Sequence, residues 1–168
     1  MTEFNKFGRK RDPVFTLCGS DGVHPREAGG LFMAYQILKA QGVSAVVSSV
    51  AVDARSLKLI SAENAELRGL SREKSGVRFL MTEKALPFPV EPAAATVADM
   101  LPFADDLSRQ VLKITGLEPG LWALEIDGEK ILEASADKFA AGIDLARNEK
   151  TPMMRQARAV AAANAVIC

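Results

Sequence analysis

Asp21 and His24 are the residues of this sequence whose types and spacing could carry out chemistry. They lie in the stretch CGSDGVHP, and His24 is the only histidine of the chain. A histidine can act as a general base when a carboxylate accepts a hydrogen bond from its other ring nitrogen and so holds the ring in one tautomer. The spacing therefore allows a catalytic Asp–His pair. It is equally compatible with a helix-capping aspartate beside a structural histidine.

No nucleophile or metal site accompanies this pair in the sequence. Ser20 is adjacent to Asp21 in the same turn, which leaves little room for an independent attack geometry, so we interpret it as a bystander. Cys18 and Cys168 have no metal-binding spacing and are interpreted as small buried or terminal thiols. We expect no metal and no cofactor. The other serines considered are interpreted as solvent-facing or turn residues: Ser48, Ser49, Ser56 and Ser61.

The composition is that of a globular protein of about one domain. Of 168 residues, 48% are hydrophobic and 25% are charged. The 21 basic residues balance 21 acidic ones, so the net charge does not favour nucleic acid or an anionic membrane. The basic cluster FGRKR, residues 7–11, is interpreted as a solvated terminal segment. No apolar run predicts a membrane span or a signal peptide in this chain, and the compartment stays unknown because a longer parent could be secreted or periplasmic.

A helix is predicted directly after the Asp–His turn. Pro25 and Glu27 are typical of a helix start, and Gly42 is typical of a helix end. Between them, apolar residues recur at the spacing of one helix face: Leu31, Ala34, Tyr35 and Leu38.

From Val43 the apolar pattern becomes typical of strands. The stretches VSAVVSSVAVDA, AELRGL and GVRFLMTE predict three short strands, and the proline-rich KALPFPVEPAAA predicts an ordered connector. Further strands are predicted on both sides of a tight turn at Asp127–Gly128. Ser135 is predicted to cap a helix, and Thr151–Pro152 to start a last amphipathic helix.

The segment DGVHPREAGGLFMAYQILKAQGV resembles the last sequence block of the SGNH, or GDSL-like, hydrolases: Asp-x-x-His-Pro, a loop with glycine, then a helix containing Met-Ala. The later segments LPFPV, VLKITGLEPGLWALEIDG, FAAGIDLA and TPMMRQARAV are similar to the tail of a subgroup of that family. The resemblance implies that Asp21 orients His24 and that His24 takes the proton from a serine nucleophile. An acyl group would then pass from an ester to water.

The resemblance also implies that part of the catalytic machinery is missing from this sequence. In the family, the Gly-Asp-Ser nucleophile block and the blocks that supply oxyanion donors lie far upstream of the Asp-x-x-His block. Asn5 and Asn64 lack the pattern that surrounds the family's oxyanion asparagine. We therefore expect the carboxy-terminal portion of a serine esterase, of the lipase, acylhydrolase or carbohydrate-esterase class, that is inactive alone.

The expected fold is an α/β remnant, the end of a flavodoxin-like three-layer SGNH domain, joined to a β-rich module, which makes it α+β overall. Residues 1–45 would carry the Asp–His turn and its helix, residues 46–148 the β-rich accessory module, and residues 149–168 a C-terminal helix that packs back on the hydrolase part. Loss of half of the α/β domain would expose apolar helix faces, so we expect self-association or a chain that supplies the missing N-terminal half.

A second hypothesis is a non-catalytic β-rich binding or interaction module in which the Asp–His turn is residual. Trp122 and Phe103 could line a carbohydrate or acyl surface. Aromatic residues make up only 6% of the chain, so we interpret both as core residues of the module.

Overall fold

The structure, a computed structural model, describes residues 2–73 and 76–165. These residues form a mixed α+β fold with several sheets, as predicted. The chain divides into two compact units, of which unit 1 comprises Met1–Ser44 and Val90–Leu107, and unit 2 comprises Ala45–Pro89 and Ser108–Cys168. The more specific expectation of a flavodoxin-like remnant stays a prediction.

Unit 1 is helical. Helix α1 covers Thr2–Arg9 and helix α2 covers Glu27–Ala40, the latter at the place predicted from the sequence. After a 3-10 turn at Pro92–Ala94 come two short helices, α3 at Ala95–Met100 and α4 at Phe103–Leu107. The core of unit 1 joins these segments through its buried residues: Phe15, Leu17, Leu31, Tyr35, Ala94, Val97 and Phe103.

The strands of unit 2 are β1 at Val46–Asp53, β2 at Lys58–Glu63, β3 at Ala65–Glu73, β4 at Gly76–Glu83, β5 at Arg109–Thr115, β6 at Leu121–Ile126, β7 at Glu129–Ser135 and β8 at Ile143–Asp144. Four of them form one sheet in the order β2-β1-β5-β8, in which β1 and β5 are parallel. The other four form the hairpins β3–β4 and β6–β7. The predicted turn of the second hairpin is confirmed, since Asp127 and Gly128 have φ values of 52° and 81°.

Two helices complete unit 2. Helix α5, Ala136–Ala141, starts where predicted, and the Ser135 side chain accepts a hydrogen bond from the Lys138 N–H. Helix α6, Pro152–Ala165, also starts where predicted. Met153 of α6 packs against the unit 2 core, which is built on Val50, Val52, Leu112 and Phe139.

The two units differ from the predicted division of the chain. The prediction places residues 90–107 inside a continuous module 46–148, whereas the structure groups them with the first helices, because Val97 and Phe103 bury their side chains in the core of unit 1. The prediction also packs the last helix on the hydrolase part, whereas α6 belongs to unit 2. Cys168 lies outside the described residues.

Candidate functional site

The Asp–His turn is a closed loop in unit 1 that leads into α2. Cys18 and Pro25 form an isolated antiparallel bridge across its base. Inside the loop, the Gly19 N–H donates to the His24 carbonyl at 2.8 Å. These backbone contacts therefore close the loop without the help of a side chain.

Asp21 and His24 are brought together as the sequence allows. Nδ1 of the His24 ring lies 2.8 Å from Oδ2 of Asp21. The other carboxylate oxygen, Oδ1, accepts hydrogen bonds from the backbone N–H groups of Val23 at 3.0 Å and His24 at 3.1 Å. The predicted alternative, a helix-capping aspartate, is not realised, because both backbone donors lie in the turn before α2, whose N-cap is Arg26 without a side-chain cap.

The charge state of Asp21 determines the tautomer of His24. The backbone N–H of Val23, the His24 side chain and the His24 N–H lower the pKa of Asp21 from 3.8 to about 2. An ionised carboxylate can only accept, so Nδ1 of His24 carries the proton and donates it. In the neutral ring the unprotonated nitrogen is then Nε2, which is the atom a general base needs free.

The His24 ring is open to solvent in unit 1. Its side chain is 81% exposed, and that of Asp21 is 50% exposed. A general base of this geometry can receive a proton from a group brought to it, but no wall of unit 1 excludes water from the ring. The described residues therefore provide an oriented imidazole without the enclosed pocket in which such a group works best.

Helix α2 is held close to the segment that precedes the turn. Gly29 is buried, and a Cβ atom there would overlap the Leu17 carbonyl oxygen. Only glycine permits this approach of helix and backbone. Leu17 precedes the turn and α2 follows it, so this contact fixes the distance between the two ends of the loop.

A polar contact fixes the far end of α2 to α4. The Tyr35 hydroxyl donates a hydrogen bond to Oδ2 of Asp106, and Nζ of Lys39 lies 3.1 Å from the same oxygen. Burial, together with the acceptor carboxylate, raises the pKa of Tyr35 to about 12. Segment 90–107 thus supports the helix that follows the Asp–His turn, a role that local sequence patterns did not indicate.

Neither Ser20 nor the two asparagines completes a triad within the described residues. Ser20 is exposed, and no hydrogen bond links it to His24 in residues 2–73 and 76–165. Asn5 accepts a hydrogen bond from the Leu17 N–H at 2.9 Å, which is a structural role in unit 1. Asn64 donates to the Val46 carbonyl at 3.1 Å, in unit 2.

Ser48 corrects one of the sequence-based interpretations. It was predicted to face solvent or lie in a turn, but it is 2% exposed and its hydroxyl donates to Oε1 of Glu83 at 2.6 Å. Gln110 donates to the other oxygen of the same carboxylate. Burial raises the pKa of Glu83, while the hydrogen bonds from Ser48 and Gln110 oppose this shift. The pairing joins strands far apart in sequence, so no local pattern could have predicted it.

The two aromatic residues considered as a ligand surface lie in different units. Phe103 belongs to the core of unit 1 rather than to the β-rich module, where it was predicted. Trp122 packs on the unit 2 core, and its indole N–H donates to the Glu118 carbonyl at 2.9 Å. It also lines a shallow groove of about 240 Å³ in unit 2 with Arg55, Arg72 and Glu118 among its other walls.

In residues 2–73 and 76–165, no group of three or more His, Cys, Asp or Glu side chains could hold a metal ion. No helix in the same ranges has the length and apolar character needed to cross a membrane.

Comparison with known proteins identifies a solved enzyme structure that is similar to this chain. No known family model matches the chain, and no curated protein matches it. The solved structure of BT4096, a gut microbial diltiazem-metabolizing enzyme, is similar with a TM-score of 0.83 and 32% sequence identity. The similarity covers 95% of this chain and 38% of that chain, so this chain spans well under half of the enzyme's length. The chain therefore shares its fold with part of an enzyme that metabolises a drug.

Proposed function

We propose that this chain is the Asp–His portion of an SGNH-type serine esterase and forms the end of its flavodoxin-like domain. The observation that carries the proposal is the 2.8 Å hydrogen bond between Nδ1 of His24 and Oδ2 of Asp21, which leaves Nε2 of an exposed ring unoccupied. The similarity to part of a drug-metabolizing enzyme supports the proposal, because an Asp–His pair without a nucleophile can hydrolyse an ester only as part of a longer enzyme.

In this proposal His24 moves a proton at two points of acyl transfer. Nε2 takes the hydroxyl proton of a serine as the serine oxygen attacks the ester carbonyl carbon, and Asp21 stabilises the resulting imidazolium. Nε2 then gives that proton to the leaving alcohol, which yields an acyl-serine. Nε2 next takes a proton from water as the water oxygen attacks the acyl carbon, and it returns that proton to the serine oxygen as the carboxylic acid leaves.

The serine and the oxyanion donors belong to polypeptide that this sequence does not contain. Oxyanion donors commonly supply the largest single stabilisation of the transition state, and Asp21 and His24 alone cannot replace them. The 168-residue chain by itself is therefore expected to hydrolyse p-nitrophenyl acetate at the rate of buffer.

A chimera tests the proposal. This chain replaces the matching part of the diltiazem-metabolizing enzyme, which is 38% of that enzyme's length. The conversion of diltiazem and of p-nitrophenyl acetate by the chimera is then measured. We expect His24→Ala to lower kcat/KM by roughly 10³-fold or more, and Ser20→Ala to change it by less than about 2-fold. A folded chimera whose activity is unchanged by His24→Ala would overturn the proposal.

A further inference from the structure

Arg26 folds its side chain back over the Asp–His loop. It is the residue directly before helix α2. A Cβ atom added to Gly19 would lie 2.8 Å from Nε of Arg26 and 3.3 Å from its Cγ. The Gly19 N–H donates to the His24 carbonyl, so Arg26 lies against the part of the loop whose backbone is bonded to His24.

The space at position 19 is needed by the Arg26 side chain and not by the backbone. Gly22 of the same loop has a φ of 71°, in the left-handed region, whereas Gly19 does not lie in that region. A side chain at position 19 would occupy the place of the Arg26 side chain. Glycine at position 19 therefore lets the arginine lie flat on the loop.

The guanidinium of Arg26 is close to the Asp–His pair and has no acceptor of its own. The pKa of Asp21 is lowered most by the Val23 N–H, and the positive charge of Arg26 lowers it further. Within residues 2–73 and 76–165, the Arg26 side chain makes no hydrogen bond and no ion pair. The side chains of Arg9 and Arg72, by contrast, donate to backbone carbonyls. A permanently charged group with five N–H donors is thus exposed beside the imidazole.

A planar carboxylate is the group that a guanidinium binds best, because two parallel N–H groups can donate to its two oxygens. In the proposed reaction, the substrate brings its ester bond to Nε2 of His24. A second group of the same molecule then lies beside Arg26. A neutral group there that cannot accept would leave the guanidinium donors without a partner wherever the substrate excludes water.

We propose that Arg26 is a specificity-determining residue, which binds a carboxylate of the substrate while His24 acts on its ester bond. The substrate class is therefore an ester that also carries a carboxylate. The inference rests on the proposed function, since it concerns the substrate of that site. Because Gly19 already lets the side chain lie over the loop, less side-chain freedom is lost when the substrate binds.

The test compares two acetyl esters of similar shape that differ in charge, p-acetoxybenzoate and p-acetoxybenzamide. Both are hydrolysed by the chimera with the diltiazem-metabolizing enzyme, and kcat/KM is measured for each. We expect Arg26→Gln to lower the ratio of the two values, carboxylate over amide, by roughly 10-fold or more. Hydrolysis of the amide-bearing ester also reports whether each variant is folded.

Gly19→Ala tests the position of the guanidinium without changing the charge. Its methyl group displaces the Arg26 side chain from the loop, so the ratio is expected to fall as it does in Arg26→Gln. Arg11→Gln is the matched control, because it removes the same charge from unit 1 at a residue that lies over the Phe7 ring. It should change the ratio by less than about 2-fold, since a distant exposed charge acts on both esters only through a screened field.

An unchanged ratio in Arg26→Gln would overturn the proposal. If kcat/KM falls equally for the two esters, the ratio is unchanged, and Arg26 acts through Asp21 rather than on the substrate. An equal fall of the ratio in Arg11→Gln would also overturn it, because the preference would then come from net charge. Failure of the proposed function has a different outcome, in which His24→Ala leaves the hydrolysis of both esters unchanged.

Discussion

Asp21 binds His24 twice, through Oδ2 to the ring nitrogen at 2.8 Å and through Oδ1 to the backbone N–H of the same residue at 3.1 Å. One carboxylate therefore fixes both the position of His24 in the turn and the orientation of its imidazole. An aspartate that only closed the turn would need the backbone contacts alone. The double contact makes Asp21 a positioning residue for His24 in the proposed reaction.

Acid titration should report this double contact. The pKa of Asp21 is about 2 in the folded chain, compared with 3.8 for an unperturbed aspartate. Because the folded value is the lower one, the stability that Asp21 contributes is fully present above about pH 4 and is lost as pH falls through about 2. We expect the Asp21 carboxyl carbon to titrate with a midpoint near 2 in an NMR experiment. Asp21→Asn should remove this transition, and a midpoint near 4 would contradict the assigned contacts.

Adjacent glycines of α2 should respond in opposite directions to alanine. Gly29→Ala forces a methyl group against the Leu17 carbonyl and is expected to lower the free energy of unfolding by roughly 1–3 kcal/mol. Gly30→Ala meets open space and is expected to raise it by roughly 0.5–1 kcal/mol. Urea denaturation of both variants measures the difference. Equal destabilisation by the two substitutions would show that the environments of these glycines are misassigned.

Glu83 should make stability depend on pH in the sense opposite to Asp21. Burial raises its pKa above the ordinary value of 4.5, so its contribution is fully present below that value and is lost as pH rises through the folded pKa. Oε1 of Gln110 is buried and finds no hydrogen-bond partner among the described residues. In Glu83→Gln, the amide oxygen can still accept from Gln110, the amide N–H can donate to the Ser48 hydroxyl, and no charge is buried.

We therefore expect Glu83→Gln to keep or raise stability at pH 7 and to remove this part of the pH dependence. Glu83→Ala instead leaves the donors of Ser48 and Gln110 unpaired and should cost roughly 1–3 kcal/mol. Urea denaturation of both variants from pH 4 to pH 8 measures the difference in their free energies of unfolding. A Glu83→Gln variant as unstable as Glu83→Ala would indicate that the carboxylate charge itself is needed.

Features set by neighbouring residues could be predicted from the sequence. The start of α2, the Asp127–Gly128 turn and the cap at Ser135 depend on backbone preferences and on hydrogen bonds within a few residues. The Asp21–His24 contact belongs to the same class, because both side chains belong to one short loop.

Features set by distant contacts were missed. Strand β2 is exposed along its whole length and has no alternation of apolar and polar residues to mark it. Helices α3 and α4 are short and are stabilised by burying Val97 and Phe103 against α2, which a local pattern does not reveal. The burial of Ser48 depends on Glu83 from another strand. For α3, α4 and Ser48 the deciding partner lies far away in the sequence, whereas β2 pairs with the neighbouring strand β1 and lacks only a pattern to mark it.

Thr151 should be a sensitive capping position, at the start of α6. It is 0% exposed, its hydroxyl accepts a hydrogen bond from the Met154 N–H at 3.2 Å, and it donates one to the Asn148 carbonyl at 2.9 Å. Thr151→Ala removes both bonds where water cannot replace them, so we expect a loss of roughly 1–2 kcal/mol in the free energy of unfolding. Thr151→Ser keeps the hydroxyl and is expected to retain most of that stability. Urea denaturation followed by circular dichroism measures both variants, and equal losses would assign the effect to the methyl group and to packing rather than to the cap.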